Sequence, residues 1–314
     1  MSWLYKKEEK QYKTVYRVLG FKFTIKHKEE RKMLVNIEDL VRRTVDVKSL
    51  PKAQGLLRDI QLSAVRLLLE VDNVCKEHNI KYWIDFGTLL GAVRHKDYIP
   101  WDDDIDLGMM RDDYDKFEKV FNEAVSDKDL FIEKCCKNRG TSSILKIHHK
   151  KIPTIFLDIF PYDYYTEKLD DEGKIALNKK IKKAKKKLYY KVDNSESEKT
   201  KYWNNLLQVR DTKICEGKTP DISKKPAVFW GIDYDHTSPM GVFDYETMFP
   251  LSEIEFCGHK FPAPADIDFY LMTVYHDYMS LPKSLHYHFD LKHVPVSEMV
   301  ALKKYAEILK ADLD

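Results

Sequence analysis

The sequence predicts an α+β fold, a mixed sheet with helices packed on it, and three observations carry that expectation. Apolar residues recur at helical spacing between Pro51 and His78. Short segments with the two-residue period of a β-strand follow between Lys81 and Phe160, punctuated by Gly140 and Pro153. A lysine-rich helical stretch over 169–217 then separates this region from a C-terminal segment. With 314 residues, 43% hydrophobic and 33% charged, the chain has room for one large domain or one and a half, and its composition is that of a globular protein.

Taken in order, residues 1–49 read as a basic N-terminal arm in which Lys6, Lys7, Lys10 and Arg17 stand among Trp3, Leu4, Tyr5 and Val15. Strict alternation from Phe21 to Ile25 predicts one strand there. Such a mixture is either a solvated basic face or a surface that rests on anionic lipid. The core is expected over 50–168. It opens with a long amphipathic helix through Leu56, Ile60, Leu68, Val71 and Cys75, which should pack behind the sheet. A strand over 81–86, an acid-bearing strand over 102–110 and a helix over 111–125 with solvated acids follow. Three further strands are expected over 130–135, 143–148 and 154–160, with His148 and His149 on the strand surface. In the insertion over 169–217, Leu177, Ile181, Ala184 and Leu188 form one apolar stripe and lysines cover the rest. The segment over 218–314 should pack on the core with a strand over 227–232, a hairpin around Cys257 and Gly258, and a helix over 267–278.

Chemistry is concentrated between Tyr82 and Leu107. If the segment from Asp102 is extended, Asp102, Asp104 and Asp106 share one face while Ile105 and Leu107 take the other. Like charges so placed repel unless a cation lies between them, and an all-carboxylate set suits Mg²⁺, Mn²⁺ or Ca²⁺. An acidic surface turn is the plainer alternative. Before the acids, Gly87 can take backbone angles closed to other residues, and Thr88 is a good N-cap for a helix through Leu89, Gly91 and Arg94. A helix N-terminus there would bind phosphate, with Arg94 either a second phosphate ligand or one side of a salt bridge. On the strand over 154–160, Asp158 shares a face with Phe156 and Phe160, so it should have a cation, a hydrogen-bond partner or a raised pKa; a strand-end acid facing solvent is the plainer alternative.

The string Gly-Thr-Leu-Leu-Gly-Ala-Val-Arg-His, followed by Ile-Pro-Trp-Asp-Asp-Asp-Ile-Asp, resembles the signature of the LicD family of phosphotransferases, and the stretch from Met248 to Pro282 is similar to that family's C-terminal signature. One departure is His276, where the family pattern has glycine between Tyr275 and Asp277. The resemblance implies a nucleotidyltransferase-like fold acting on CDP-activated small alcohols. Its pattern of a glycine turn, a pair of acids on one strand and a third acid on a neighbour falls here on Gly87 and Thr88, on Asp104 and Asp106, and on Asp158. The implied reaction is metal-assisted transfer of a phospho-alcohol, phosphocholine first, from a CDP-alcohol to a glycan hydroxyl, releasing CMP. Asp102, Asp104 and Asp106 would hold Mg²⁺, and Asp158 would either take the acceptor's proton or share a second metal.

Five cysteines without Cys-x-x-Cys pairing point to reduced thiols, not to zinc or a disulfide framework. His286, His288 and His293 resemble a zinc set only loosely. No stretch approaches the roughly 18 apolar residues of a membrane span, so a cytoplasmic enzyme is expected, with peripheral contact to an anionic membrane where a lipid-linked glycan would be met. The net charge of +2 says little, because the basic residues are concentrated in two segments; charge alone would allow nucleic acid, but the lysine-rich segment has no nucleic-acid motif, so no such partner is expected. Two other functions fit the pattern: a nucleotidyltransferase that releases pyrophosphate, and a catalytically silent module that binds anionic lipid or glycan.

Overall fold

The computed structural model describes residues 5–10, 13–18, 21–26, 40–41, 44–137, 142–189, 196–233, 241–282 and 291–313. The chain divides into two compact units, one of residues 1–49 with 279–284 and one of 50–278 with 285–314.

In the first unit, β1 (Tyr5–Lys10), β2 (Lys13–Val18) and β3 (Phe21–Lys26) form an antiparallel sheet in the order β1-β2-β3. The expectation of a basic arm with a single strand is corrected here. The sequence Tyr-Lys-Lys-Glu-Glu-Lys has no apolar alternation, so its strand is specified by pairing with β2 and not by its own pattern. Trp3 and Leu4 lie outside the described residues.

The second unit contains α1 (Gly55–Glu77), β4 (Trp83–Ile84), α2 (Phe86–His95), β5 (Ile105–Met110), α3 (Arg111–Ala124), β6 (Leu130–Lys137), β7 (Ser142–His149), β8 (Ile152–Tyr164), α4 (Asp171–Tyr189) and α5 (Glu196–Val209). It continues with β9 (Val228–Trp230), β10 (Val242–Phe243), α6 (Tyr245–Met248), β11 (Ser252–Phe256), β12 (His259–Ala263), α7 (Ile267–Tyr275) and α8 (Val296–Leu313). Seven strands make the central sheet. β8 pairs in parallel with β5 on one edge, while its other edge pairs antiparallel with β7 and then β9. β4 closes one side beyond β5, and β6 and β10 lie beyond β7 and β9. The sheet is therefore mixed and covered by helices, as the sequence predicts.

Helix α1 owes its position to a stripe of fully buried side chains, Ile60, Ala64, Leu67, Leu68 and Val71, which pack against β8 and α8. Ser63 donates to the Leu302 carbonyl at 3.3 Å, and the Arg66 guanidinium lies 3.8 Å over the Tyr305 ring. Helix α8 was not expected from sequence. Its outward Val296, Val300 and Ile308 are exposed, so apolar residues stand on both faces and hide the helical period. The apolar stripe meets a core as read, with Leu177 and Ile181 of α4 against Tyr202 and Leu206 of α5 beside Phe229 and Ile232, but Lys185 is buried and not part of a solvated face. A buried charge network ties this insertion to the sheet. Arg111 donates to both oxygens of Asp163, each at 3.0 Å, and to both of Asp233 at 2.9 and 2.6 Å, while Arg210 donates to Asp163 at 2.9 Å. Burial opposes the Asp163 anion, but the two guanidinium groups outweigh it and hold its carboxyl below the usual value.

The segment 96–104 between α2 and β5 is fixed from three sides. Arg58 of α1 forks onto buried Asp97 at 2.7 and 2.9 Å, Gln61 donates to the Asp102 carbonyl at 2.9 Å, and the N–H of Cys257, in the β11–β12 turn, donates to the Lys96 carbonyl at 2.9 Å. Its fourth constraint is Gly91, where a Cβ would stand 2.6 Å from the Asp97 carbonyl oxygen and 2.9 Å from the Ile99 nitrogen. Both are backbone atoms that cannot rotate away. Gly91→Ala should therefore cost about 1–3 kcal/mol or more of unfolding free energy, measured by urea denaturation. An unchanged midpoint would show that the segment approaches α2 less closely than this.

Candidate functional site

The site begins where apolar β4 ends. Asp85 caps α2 by accepting from the Phe86 N–H at 2.8 Å, and Phe86 takes a left-handed φ of 37° to make the turn. Two expectations are corrected here. The N-cap is Asp85, not Thr88, and the strained backbone angle falls on Phe86, not on Gly87. A Cβ at Gly87 would stand 2.8 Å from Asp102 Oδ2, so a side chain there would displace that carboxylate. Thr88 lies inside the helix, where its Oγ1 accepts from the Asp106 N–H at 2.9 Å.

Asp106, on β5, binds this turn by three different groups. Beyond the bond to Thr88, its carbonyl accepts from the Asp85 N–H at 2.9 Å and its Oδ2 accepts from the Gly87 N–H at 3.3 Å. The first N–H groups of α2 thus already serve carboxylates. The parallel register sets Asp106 opposite Asp158 of β8, and Asp104 arrives from the loop just before β5. Carboxylate oxygens of Asp104, Asp106 and Asp158 all lie within 4.8 Å of one another. The expected extended run from Asp102 is shorter than predicted: β5 starts at Ile105, so Asp102 and Asp104 reach the site from a loop and strand alternation does not explain their convergence. Asp102, Asp104 and Asp103, which the sequence reading did not single out, form a second set with oxygens within 4.8 Å, sharing Asp104 with the first.

Electrostatics mark the set as strained without a cation. Burial, followed by the charges of Asp104, Asp158, Asp102 and Asp85, pushes the Asp106 carboxyl well above the usual range. Hard, closely spaced oxygen donors fit a divalent cation such as Mg²⁺ or Mn²⁺. Asp158 also accepts from Lys146 of β7, a buried lysine that the sequence reading passed over. Leu145 and Ile147 take the opposite face of the strand, so alternation alone reads Lys146 as solvent-facing.

Beneath the turn, Asp85 accepts from the hydroxyls of Tyr162, at 2.6 Å, and of Tyr270. Tyr162 lies 2.9 Å from the Tyr270 hydroxyl and accepts from Trp230 Nε1 at 3.0 Å. Burial raises Asp85 to about 6 although these bonds favour its anion. Other expected residues lie elsewhere. Arg94 is on the last turn of α2, about 9 Å of helical rise from Thr88, within the fields of Tyr275, Asp277 and Tyr278 at the end of α7. His149 is buried, not on the strand surface: its Nδ1 accepts from the Lys151 N–H at 3.1 Å, and it lies with Asp127 and Asp129 at the far end of β7. Asp113 and Asp115 of α3 are half-buried, which raises both, so the acids of that helix are less solvated than expected. Cys75, Cys215 and Cys257 are free thiols, as read, and His286 and His288 lie outside the described residues.

Residues 79–193 match the family model described as LicD/FKTN/FKRP, nucleotidyltransferase domain, a span that contains the turn, all five acids and Lys146. The chain carries a LicD domain. Similarity to the lipopolysaccharide cholinephosphotransferase LicD of Haemophilus influenzae is 36% identity over 118 residues, covering 34% of this chain and 44% of that protein. An uncharacterised protein of Rickettsia typhi is 34% identical over 115 residues, 34% of this chain and 36% of its own length. Human ribitol 5-phosphate transferase FKRP is 28% identical over 96 residues, 29% of this chain and 19% of that protein. The match thus spans less than half the length of each of these relatives.

The raised carboxyl beneath the turn gives a measurable pH dependence. Between an unfolded value near 4 and its folded value of about 6, Asp85 binds more protons in the folded state. Its contribution to stability therefore falls as pH rises through that window. Relative to Asp85→Asn, the metal-free wild type should lose on the order of 2 kcal/mol between pH 4 and pH 6, read from urea denaturation in a chelator. A difference that does not change with pH would return Asp85 to an ordinary carboxyl value.

Proposed function

We propose that this chain transfers a phospho-alcohol, most simply phosphocholine, from its CDP ester to a hydroxyl of a cell-surface glycan and releases CMP. The observation that carries the reading is the convergence of Asp104, Asp106 and Asp158 against the Gly87–Thr88 turn of a LicD domain. The names of two relatives support the substrate class, a cholinephosphotransferase and a ribitol 5-phosphate transferase. A surface that only bound lipid or glycan would gain nothing from a buried carboxylate such as Asp106, which burial and the neighbouring acids push above the usual range.

Asp104, Asp106 and Asp158, with Asp102 beside them, would hold Mg²⁺. When bound, the ion supplies positive charge to the diphosphate oxygens and so favours departure of CMP. Gly87 and Thr88 act in this reading through Asp106, by fixing its main chain and one carboxylate oxygen. In the reaction, the acceptor oxygen forms the new bond to the alcohol-bearing phosphorus, the phosphorus–oxygen bond to CMP breaks, and the hydroxyl proton leaves to a base. In this reading Asp158 serves as a ligand oriented by the ammonium group that donates to its Oδ1.

Among the described residues no helix is long and apolar enough to cross a membrane. Exposed Lys179, Lys183 and Lys186 of α4 could still bring a lipid-linked glycan to the site by contact with anionic head groups. Binding to anionic vesicles should then be strong at low salt and weaken steeply on addition of salt. Failure to sediment with such vesicles at low salt would remove membrane contact from the reading.

The decisive experiment incubates the full chain with Mg²⁺, a glycan acceptor and a panel of CDP-alcohols. One donor should raise the melting temperature and yield CMP. Release of pyrophosphate from a nucleoside triphosphate would instead identify a nucleotidyltransferase. Asp106→Asn should lose the Mg²⁺-dependent rise in Tm and lower CMP release by about a hundredfold or more. Its metal-free Tm should rise, because one repelling charge is gone. Full CMP release from this variant would overturn the assignment of the acids.

A further inference from the structure

The row of paired positions that joins Asp106 to Asp158 continues onto a third strand. Parallel register sets Asp106 opposite Asp158, and antiparallel register sets Lys146 opposite Asp158. Side chains at paired positions leave the same face of a sheet, so two carboxylates and an ammonium stand side by side across β5, β8 and β7. Lys146 is only 9% exposed, its Nζ forms a salt bridge with Asp158 Oδ1, and it lies 3.8 Å over the Phe156 ring. A lysine so buried is costly unless its charge is compensated. Elsewhere in the unit such compensation is a closed network, with Arg111 forked between Asp163 and Asp233. At Asp158 it is not closed, because the same carboxylate converges with those of Asp104 and Asp106.

Counted by themselves, these three carboxylates and the Lys146 ammonium carry a formal charge of −2, the charge that a single divalent cation neutralises. We propose that Lys146 is a positioning residue and fixed counter-charge of the acid set: it orients Asp158, restricts the Asp104–Asp106–Asp158 set to one divalent cation, and holds the affinity for that cation low until donor phosphates arrive to share it. The ion-binding part stands on the geometry alone. Only the effect on turnover rests on the phospho-alcohol reading.

The physical argument fixes the sign of every effect. An ammonium in contact with a ligand carboxylate repels an incoming cation, so removing it tightens ion binding in the absence of donor. Removing it also leaves three mutually repelling carboxylates in the ion-free protein, which should be less stable. With Asp158 no longer held, the ion would sit tightly but in a looser frame, and turnover would fall while affinity rose. A residue with a purely structural role would lower both together or neither.

The experiment titrates Mn²⁺ calorimetrically into full-length wild type, Lys146→Met and Lys146→Arg without nucleotide, and follows thermal unfolding with and without the ion. Wild type should bind one Mn²⁺ at this set, with any second ion at Asp102 and Asp103 identified by its survival in Asp158→Asn. Lys146→Met should bind about tenfold or more tightly, melt lower than wild type without Mn²⁺, and regain stability with it. Lys146→Arg keeps the charge and should bind within about threefold of wild type. Lys146→Gln serves if the methionine variant does not fold. Unchanged or weaker Mn²⁺ binding in a folded neutral variant would overturn the proposal, as would two ions at the Asp104–Asp106–Asp158 set in wild type. In the CMP-release assay, lower turnover despite tighter ion binding supports the positioning role, and unchanged turnover overturns it. A wild type that binds one ion but releases no CMP from any CDP-alcohol would sink the phospho-alcohol reading and leave the ion-binding results standing.

Discussion

Asp106 meets the turn before α2 through its N–H, its carbonyl and its carboxylate at once, and the rest of the site hangs on that junction. Each bond is ordinary by itself, worth about 0.5–1.5 kcal/mol or somewhat more where a carboxylate accepts. Their effect lies in sharing one residue. Turn and strand cannot move apart without breaking all three, so the residue that presents a carboxylate to the cluster is also the residue that aligns β5 with α2. The buried Asp85 below completes the clamp, since the tyrosines that donate to it come from β8 and α7. Local turn geometry, sheet register and the C-terminal segment therefore agree on the position of a single side chain.

Two kinds of buried charge in this unit show the difference between structure and function. Asp163 and Asp233 are matched by Arg111 and Arg210, and the result is a nearly neutral network that fixes the lysine-rich helices to the sheet. Asp104, Asp106 and Asp158 converge with one another, and Lys146 is a cation that meets Asp158. Burying like charges together lowers stability. That convergence is why ion and phosphate chemistry is proposed at this row and not at the matched network around Arg111.

Much of this was legible before the structure. The mixed sheet, helix α1, the lysine-rich pair and the β11–β12 hairpin follow from periodicity and turn residues, and the string from Gly87 to Asp106 carried its chemistry in its spacing. What was not legible depended on contacts between distant segments. Asp85 was read inside a strand over 81–86, and the hydroxyls of Tyr162 and Tyr270 are what hold it as a buried cap. Asp102 and Asp104 were assigned to a strand face because alternation predicts one, whereas Gln61 and Cys257, each more than thirty residues away, hold them in a loop. Lys146 was hidden by its own residue type, since lysine on a strand ordinarily means solvent. Helix α8 was hidden by apolar residues on its outer face.

The parallel pairing of β5 with β8 bears on how the protein reaches its native state. The turn and the first acids lie within one short stretch, so they can find each other at little cost in loop closure. Asp158 comes about fifty residues after Asp106, and β5 and β8 are joined through α3, β6 and β7, the long connection that a parallel pair requires. The acid set thus comes into being only when this long-range pairing has formed. A divalent ion held by the whole set binds the paired, native arrangement, so it draws the folding equilibrium forward by mass action.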